Sequence, residues 1–239
     1  MGLRYRILTP EQMTLKGRVL GLLDGNGVRG TDFWALRDIN LTLNHGEVVG
    51  VIGSNGSGKS TLLRLMARVV EPTEGSVSVD GRIGALLDLS STLNSELTGR
   101  QNAYLYGALQ RIPKAEMDRL IPRIIEFADI GPFFDVPMKT YSSGMATRVS
   151  FAMATLLQPD VLLVDEVLAV GDERFSQRSF YRMKKLIEHG SLVVIVSHNL
   201  SFLQQFCTRA ILLEGGRLIE DGTPVHVISE YRRRQQGER

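Results

Sequence analysis

The sequence has little cysteine and no long apolar run. Its 239 residues include a single cysteine, Cys207, which cannot form an internal disulfide, so a reducing compartment is favoured over the disulfide-rich secreted class. We expect Cys207 to be a small buried apolar side chain. The most apolar stretches, Val48 to Ile52, Val161 to Val164 and Leu192 to Val196, are far shorter than the ~20 residues of a membrane-spanning helix. No secretory signal is predicted at the N-terminus.

The chain also has almost no excess charge of either sign. Its 28 Lys and Arg residues against 26 Asp and Glu residues give a formal charge of +2. This balance argues against sequence-independent binding of DNA or RNA, which requires clustered basic charge. Hydrophobic residues make up 43% and charged residues 23%, close to the average of soluble globular proteins, so a disordered chain is disfavoured.

Short Val/Ile/Leu runs without polar alternation recur between longer segments of helical period, a pattern typical of an α/β fold with a mostly parallel sheet. The predicted buried strands are Val48 to Gly53, Val161 to Asp165 and Leu192 to Ser197. We expect the chemistry at their carboxyl ends. Two half-exposed antiparallel strands are predicted at Leu36 to Leu43 and Gly75 to Val79.

Helical segments are predicted at 59–69, 99–109, 114–128, 144–157, 172–189 and 200–206. Because the third contains Pro122, we expect a kink or two shorter helices there. The block from Leu89 to Ser142 is almost all helix and loop, which indicates a helical insertion. The last segment, 224–239, is predicted to form a C-terminal helix whose Arg232, Arg233 and Arg234 form a solvated basic tail, with a functional patch as the alternative.

One glycine-rich loop predicts a phosphate site. It lies between an apolar strand and a helical segment and fits the pattern Gly, four residues, Gly-Lys-Ser/Thr. Glycines let the backbone approach an anion, and successive N–H groups at a helix N-terminus supply partial positive charge. Lys59 adds a full charge, and Ser60 offers an oxygen to Mg²⁺. The alternative, a Gly/Ser-rich loop without a binding function, would not explain the lysine at this position. The predicted nucleotide-binding residues are Gly53, Ser54, Asn55, Gly56, Ser57, Gly58, Lys59, Ser60 and Thr61.

A second polar site follows the strand Val161 to Val164, where two carboxylates are adjacent. Adjacent strand residues point to opposite faces, so the two acids are predicted to have different roles. Asp165 would hold Mg²⁺ and Glu166 would orient the attacking water. The alternative is an acidic strand end that faces solvent.

Two shorter motifs complete the pattern. Tyr141-Ser142-Ser143-Gly144-Met145 opens a helix, where small hydroxyl residues are ordinary caps. Ser197-His198 follows another buried strand. In this order the motifs resemble the nucleotide-binding subunit of ATP-binding cassette (ABC) transporters. The family signature reads Leu-Ser-Gly-Gly-Gln, so Ser142 and Gly144 are kept while Tyr141, Ser143 and Met145 depart from it.

The Tyr-Ser-Ser-Gly-Met form is similar to the branch that exports polysaccharides such as O antigen, capsule or teichoic acid. Three further segments share that similarity: Phe33-Trp-Ala-Leu36, Glu96-Leu-Thr-Gly-Arg100 and the Asp-Glu-Val-Leu-Ala-Val-Gly-Asp run from 165 to 172. The resemblance implies one ABC ATPase domain. Its core with antiparallel β structure would comprise about 1–88 and 159–223, its helical subdomain about 89–158 and its C-terminal helix about 224–239.

The resemblance also implies a homodimer with Mg²⁺ and ATP between the loop of one copy and Ser142, Ser143 and Gly144 of the other. His198, which would more often be structural if it stood alone, would contact the γ-phosphate in cis. Asp172 would lie at the dimer contact. A separate permease would carry the glycan, holding this chain at the cytoplasmic face of the membrane, and no nucleic acid would be bound.

Several assignments stay open at this point. Asp88 is the nearest equivalent of the family's Mg²⁺-sensing glutamine. Tyr5 is preferred for stacking on adenine, with Phe33 and Trp34 as competitors. The segment 11–29 carries apolar residues that form either a partner surface or a helix packed on its own domain, and Glu96 to Tyr106 is the better candidate for docking to a permease.

Two other function classes are weighed against an exporter ATPase. A soluble ABC ATPase acting on ribosomes or DNA usually has two cassettes or a coiled-coil insertion, and this sequence has one cassette and no sustained heptads. A P-loop kinase or GTPase lacks a signature between the lysine of the loop and the strand-end aspartate, here Lys59 and Asp165.

Overall fold

The structure is a computed structural model, and it describes residues 1–7, 31–87, 93–165 and 173–237. Its strands are β1 Leu3–Ile7, β2 Thr31–Leu36, β3 Val48–Ile52, β4 Ile83–Leu86, β5 Val161–Asp165, β6 Leu192–Val196, β7 Arg209–Glu214 and β8 Arg217–Gly222. Its α-helices are α1 Lys59–Met66, α2 Gly99–Leu109, α3 Lys114–Ala128, α4 Ser143–Leu156, α5 Glu173–Glu188, α6 Leu200–Phe206 and α7 Pro224–Gln235.

Six strands form the central sheet in the order β4-β5-β6-β3-β7-β8. All neighbours are parallel except β7 and β8, which are antiparallel. The three predicted buried strands lie side by side at the centre, and β3 and β6 are buried at every residue. Their continuous apolar sequence follows from this position, since strands covered on both faces have no solvent-facing side chains.

Alternate residues of β3 belong to two different apolar clusters, one on each face of the sheet. Val48 and Ile52 pack with residues of α5, α6 and α7. Val49 and Val51 pack with the apolar side chains of α1. Cys207 lies in the first cluster at 8% exposure, so its predicted burial is confirmed. The helices therefore cover both faces, which is the predicted α/β architecture.

The two predicted antiparallel strands are placed wrongly. The strand that pairs with β1 is β2, which ends at Leu36, the residue where the predicted strand begins. Asp38 then adopts a left-handed backbone with φ 55°, which breaks the extended run. Residues 75–80 form no strand either, and the neighbouring Glu74 makes only an isolated bridge to Gly2.

The predicted helices agree with the structure within a few residues at each end. α1 ends at Met66 rather than Val69, because Arg68 has a left-handed φ of 57°. α3 runs through Pro122 as one continuous helix, so the alternative of two shorter helices is wrong. The block that contains α2, α3 and two 3-10 turns packs with α4 around its own apolar cluster, which includes Ile124 and Phe134.

The C-terminal helix α7 ends at Gln235, and its Arg232, Arg233 and Arg234 are exposed, although two of them also form ion pairs. Arg233 is ion-paired to Glu230, and Arg234 is ion-paired to both Glu230 and Glu214. In the part of the chain that the structure describes, no helix combines the length and the apolar character that crossing a membrane requires.

Candidate functional site

The glycine-rich loop joins the end of β3 to the start of α1, as predicted from its sequence. Gly58 is the N-cap of α1 with φ 105°, and Gly56 has φ 77°, backbone angles that side chains with a Cβ rarely adopt. The first turn of α1 holds no acidic residue. The free N–H groups at this helix start are therefore available to an anion, and no neighbouring carboxylate in that turn opposes it.

Lys59 folds back over the loop that precedes it. Its Nζ donates hydrogen bonds to the carbonyl oxygens of Gly53 and Ser54, each at 2.9 Å, and the residue is only 7% exposed. The loop thus encloses its own cationic group, so its curved shape is already formed. A polyanion in the loop would offer Lys59 stronger acceptors than these neutral carbonyls.

Two strands outside the motif hold the phosphate loop in place. A Cβ on Gly58 would lie 2.7 Å from both the carbonyl oxygen of Ala35 and a methyl carbon of Leu36, so β2 packs directly on the start of α1. In the turn after β7, Gly216 donates its N–H to the carbonyl of Ser57 at 3.1 Å. These supporting residues were missed from sequence, although the Gly215-Gly216 pair after an apolar run is a recognisable hairpin-turn signal.

The rim of the loop is open. Ser54, Asn55, Gly56 and Ser60 are exposed, and Thr61 is partly exposed. Inside the loop, Ser57 is 2% exposed, and its Oγ has no hydrogen-bond partner among the described residues. A buried hydroxyl without a partner is unfavourable, so a bound group that accepts its hydrogen bond would stabilise this loop.

The strand register brings Asp165 to the same edge of the sheet as the phosphate loop. Asp165 on β5 pairs with Val196 on β6, which in turn pairs with Val51 on β3. Asp165 is thus level with Val51, two strand spacings or about 10 Å away. Carboxylate and hydroxyl oxygens are the donors that Mg²⁺ prefers, so Asp165 and Ser60 fit this ion chemically.

No group of three or more His, Cys, Asp or Glu residues that could hold a metal occurs among the residues that the structure describes. Mg²⁺ itself binds through one or two protein ligands and completes its shell with water and phosphate oxygens. Three predicted site residues, Asp88, Glu166 and Asp172, lie outside the described ranges, as does the segment 11–29.

His198 also leaves the sheet at this edge, because it follows β6, the strand between β5 and β3. It is exposed. The turn that carries it is fixed by Ser197, whose Oγ accepts from the N–H of Asn199 at 3.1 Å, and by Asn199, whose side chain caps α6. The fold therefore collects the phosphate loop, Asp165 and His198 along one edge.

The Tyr-Ser-Ser-Gly-Met segment starts α4 and presents an open helix N-terminus. Ser142 is the N-cap, and its Oγ accepts from the N–H of Met145 at 3.2 Å. Ser142 and Ser143 are exposed, and within the described ranges a Cβ on Gly144 would meet only the Ser142 Oγ, 3.9 Å away. Beside this surface lies a cavity of about 420 Å³ that Arg148 also lines.

Tyr141 anchors that segment to the helical block. Its hydroxyl donates to the carbonyl of Phe133 at 2.8 Å, and burial raises the pKa of the Tyr141 hydroxyl. The same hydroxyl lies 2.7 Å from the place where a Cβ on Gly99 would stand. Tyr141 stands where the family signature has leucine. Its phenol ring can both pack against the helical block and form a hydrogen bond, which a leucine side chain cannot do.

The three aromatic candidates for stacking on a base have different surroundings. Trp34 packs on Gly2, and the guanidinium groups of Arg4 and Arg37 lie 5.3 and 5.7 Å from its ring centre. Tyr5 and Phe33 are register partners across β1 and β2 and are 42% and 51% exposed. Trp34 is thus engaged within the protein, whereas the other two rings share an open face.

Comparison with known proteins decides the family. Residues 36–169 match the family model described as ABC transporter. This chain belongs to the ABC transporter family. It is 41% identical over 231 residues to the O-antigen export system ATP-binding protein RfbB of Myxococcus xanthus, an alignment that covers 96% of this chain and 53% of that protein. It is 39% identical over 205 residues to the protein of the same name from Klebsiella pneumoniae, an alignment that covers 86% of this chain and 83% of that protein.

A solved structure supports the same family fold. A dimeric ATP-binding cassette bound to ADP and Pi superposes with a TM-score of 0.71 at 25% identity, covering 81% of this chain and 92% of the other. The predicted ABC ATPase fold and the predicted resemblance to the polysaccharide exporter branch are both confirmed. The chain spans just over half the length of the Myxococcus relative, 53%.

Proposed function

We propose that this chain is the ATP-hydrolysing subunit of an ABC transporter that exports a polysaccharide or a lipid-linked glycan through a separate membrane permease. The observation that carries the proposal is the preshaped phosphate loop at the start of α1, closed around the Lys59 ammonium group. The names of the two relatives, both ATP-binding proteins of O-antigen export, supply the cargo class.

At the phosphate loop, triphosphate binding would move Lys59 from the carbonyls of Gly53 and Ser54 to phosphate oxygens. The N–H groups at the start of α1 and the Ser57 hydroxyl would complete the cradle, which satisfies the one buried hydroxyl left without a partner among the described residues of the loop. Ser60 and Asp165 would hold Mg²⁺, with Asp88 as a further candidate, and the ion would neutralise charge on the phosphates when bound.

The opposite wall of the ATP site would come from a second copy of the chain. The open N-terminus of α4, with Ser142, Ser143 and Gly144, would face the γ-phosphate, where a helix dipole favours negative charge. The superposed cassette is itself described as dimeric, which supports this arrangement. Glu166 would orient the attacking water, His198 would contact the γ-phosphate in cis, and Asp172 would lie between the two sites.

The adenine ring would stack on the open aromatic face of β1 and β2, with Tyr5 as the primary residue. Phe33 is its register partner and shares that face, so the two rings would act together. Trp34 is less suited, because two guanidinium groups already lie over its ring.

The permease would bind the segment Glu96 to Tyr106 and hold the chain at the cytoplasmic face of the membrane. The start of α2 in this segment is rigid. Thr98 and Gln101 form a capping box, and Arg100 makes a bidentate ion pair with Asp135 at 2.6 and 3.0 Å. A rigid surface loses little conformational entropy on docking and can transmit movement between the two proteins.

The test of the motor is the variant Glu166→Gln, with turnover measured as phosphate release from ATP and assembly measured by size-exclusion chromatography with Mg²⁺ and ATP. We expect it to bind ATP without turnover and to accumulate as a dimer that EDTA dissociates. Glu173→Gln, which changes an exposed carboxylate at the start of α5, is the matched control and should turn over ATP like the wild type. Wild-type turnover by Glu166→Gln would contradict the role assigned to that residue.

The test of the cargo uses cells of the source organism that lack this protein. We expect them to lose surface glycan and to retain it inside, with recovery on expression of the wild type but not of Lys59→Ala. Unchanged surface glycan in the deletion strain would contradict the export role and leave the ATPase assignment in place.

A further inference from the structure

The C-terminal helix α7 is built into the core beside the phosphate loop. It packs on β7, β8 and β3, and its Val227 and Ile228 are 0% and 2% exposed. β3 is the strand that leads directly into the loop. A helix fixed to the sheet in this way cannot shift without moving the strand ends next to it, because packed interiors leave little free volume.

The last turn of α7 makes a polar contact with the end of β7. Arg234 donates through Nη1 to Glu214 at 3.0 Å and through Nε to Glu230 at 2.6 Å. Arg233, its neighbour, donates to Glu230 through Nε and Nη2, each at 2.9 Å. Arg234 is therefore the member of this cluster that bridges the helix to the strand.

Glu214 is followed immediately by the turn that supports the phosphate loop. In that turn Gly216 donates its N–H to Ser57 and accepts from the N–H of Arg37, at 3.1 and 2.8 Å. Directly before Glu214, the Leu213 carbonyl closely abuts the site of a Cβ on Gly53. The end of β7 thus touches the loop at its first residue, and the turn after β7 touches it at its buried serine.

A small cavity completes the connection. It has a volume of about 90 Å³, and Ser54, Glu214, Tyr231 and Arg234 are among the residues that line it. Arg234 and Ser54 of the phosphate loop therefore line the same space. Glu214 lines this space too and is ion-paired to Arg234.

We propose that Arg234 and Glu214 are positioning residues, which set the phosphate loop for nucleotide through the turn at Gly216. The inference rests on the proposed function and extends it to the helix that ends the described chain. Their side chains are 38% and 55% exposed, and an ion pair at that exposure contributes little to stability. An effect on nucleotide affinity would therefore not be explained by a less stable fold.

The experiment measures ATP binding to the full chain by calorimetry, with unfolding followed in parallel. We expect Arg234→Gln and Glu214→Gln each to weaken ATP affinity about threefold or more while the midpoint of thermal unfolding hardly changes. The double variant should lose no more affinity than Arg234→Gln alone, because Arg234→Gln already removes the contact that Glu214→Gln removes. Arg233→Gln is the matched control, since it alters the same turn without touching Glu214, and should bind ATP like the wild type.

A charge reversal, Arg234→Glu with Glu214→Arg, should recover part of the affinity that each reversal alone removes. Unchanged ATP affinity in Arg234→Gln and Glu214→Gln would overturn the inference, as would an equal loss in Arg233→Gln. If wild-type protein does not bind ATP, the proposed function fails first and the inference fails with it. If wild type binds and the variants match it, only the inference fails.

Discussion

The N-cap glycine of α1 gives the sharpest test of how the phosphate loop is held. Gly58→Ala introduces one methyl group at a backbone φ of 105°. A residue with a Cβ in such a conformation is strained by about 1–3 kcal/mol. The methyl would also lie 2.7 Å from the Ala35 carbonyl oxygen and from a Leu36 methyl carbon, and overpacking of this kind costs about 1–3 kcal/mol more.

We therefore expect Gly58→Ala to lower the free energy of unfolding by about 2–6 kcal/mol. Gly56→Ala is the matched control, because Gly56 has a left-handed φ of 77° but, among the residues that the structure describes, no atom within 4 Å of its Cβ position. It should lose only the conformational part, about 1–2 kcal/mol. The difference between the two variants isolates the contact between α1 and β2.

Urea unfolding followed by circular dichroism measures the loss of unfolding free energy in each variant. The two losses are compared with the same slope of free energy against urea concentration. Should Gly58→Ala prove too unstable to purify, the same ranking is obtained from soluble yield and from the rate of proteolysis. Equal losses in the two alanine variants would refute the reasoning, since they would show that β2 does not crowd the start of α1.

Three further predictions concern other parts of the chain. Thr98→Ala removes the N-cap of α2 and should destabilise the protein by about 1 kcal/mol in urea unfolding, whereas no loss would contradict the capping box. Burial raises the pKa of Cys207 to about 12, so a thiol reagent at pH 8 should label it only after unfolding, and rapid labelling of folded protein would contradict its burial. Hydrogen bonds from Arg233 and then Arg234 lower the pKa of Glu230 from 4.5 to about 2. The ionised Glu230 therefore stabilises the fold at neutral pH, and this stabilisation is lost as the pH falls from 4.5 to about 2. In Glu230→Gln, the free energy of unfolding should fall less steeply over this pH range than in the wild type. An unchanged pH dependence would contradict the pairing of Glu230 with the two arginines.

The central sheet and most helices could be predicted because their signals are local. β3, β5 and β6 are continuous apolar runs, which only strands covered on both faces show. The phosphate loop combines a glycine pattern, a lysine and a strand-to-helix transition, and each part independently predicts the same geometry. The strand register places the end of β3, which leads into this loop, and Asp165 at the end of β5 at the same edge of the sheet.

The antiparallel strands near the N-terminus were predicted less well because alternation alone does not fix a strand. Leu41 and Leu43 alternate with polar residues, yet the chain turns at Asp38, whose left-handed φ no sequence pattern announces. The role of Arg234 was missed for a similar reason. Its partner Glu214 lies 20 residues earlier, and only the packing of α7 on the sheet brings the two together.

Mixing two inactive variants tests the shared ATP site most directly. Lys59→Ala lacks the lysine of the loop and Ser142→Arg blocks the open start of α4, so each should hydrolyse no ATP alone. In a mixed dimer, the loop of the Ser142→Arg copy would meet an intact α4 start from the Lys59→Ala copy. We predict that an equal mixture recovers about a quarter of wild-type turnover, because about half the dimers are mixed and each has one complete site. A mixture that remains inactive would contradict a site built from two chains.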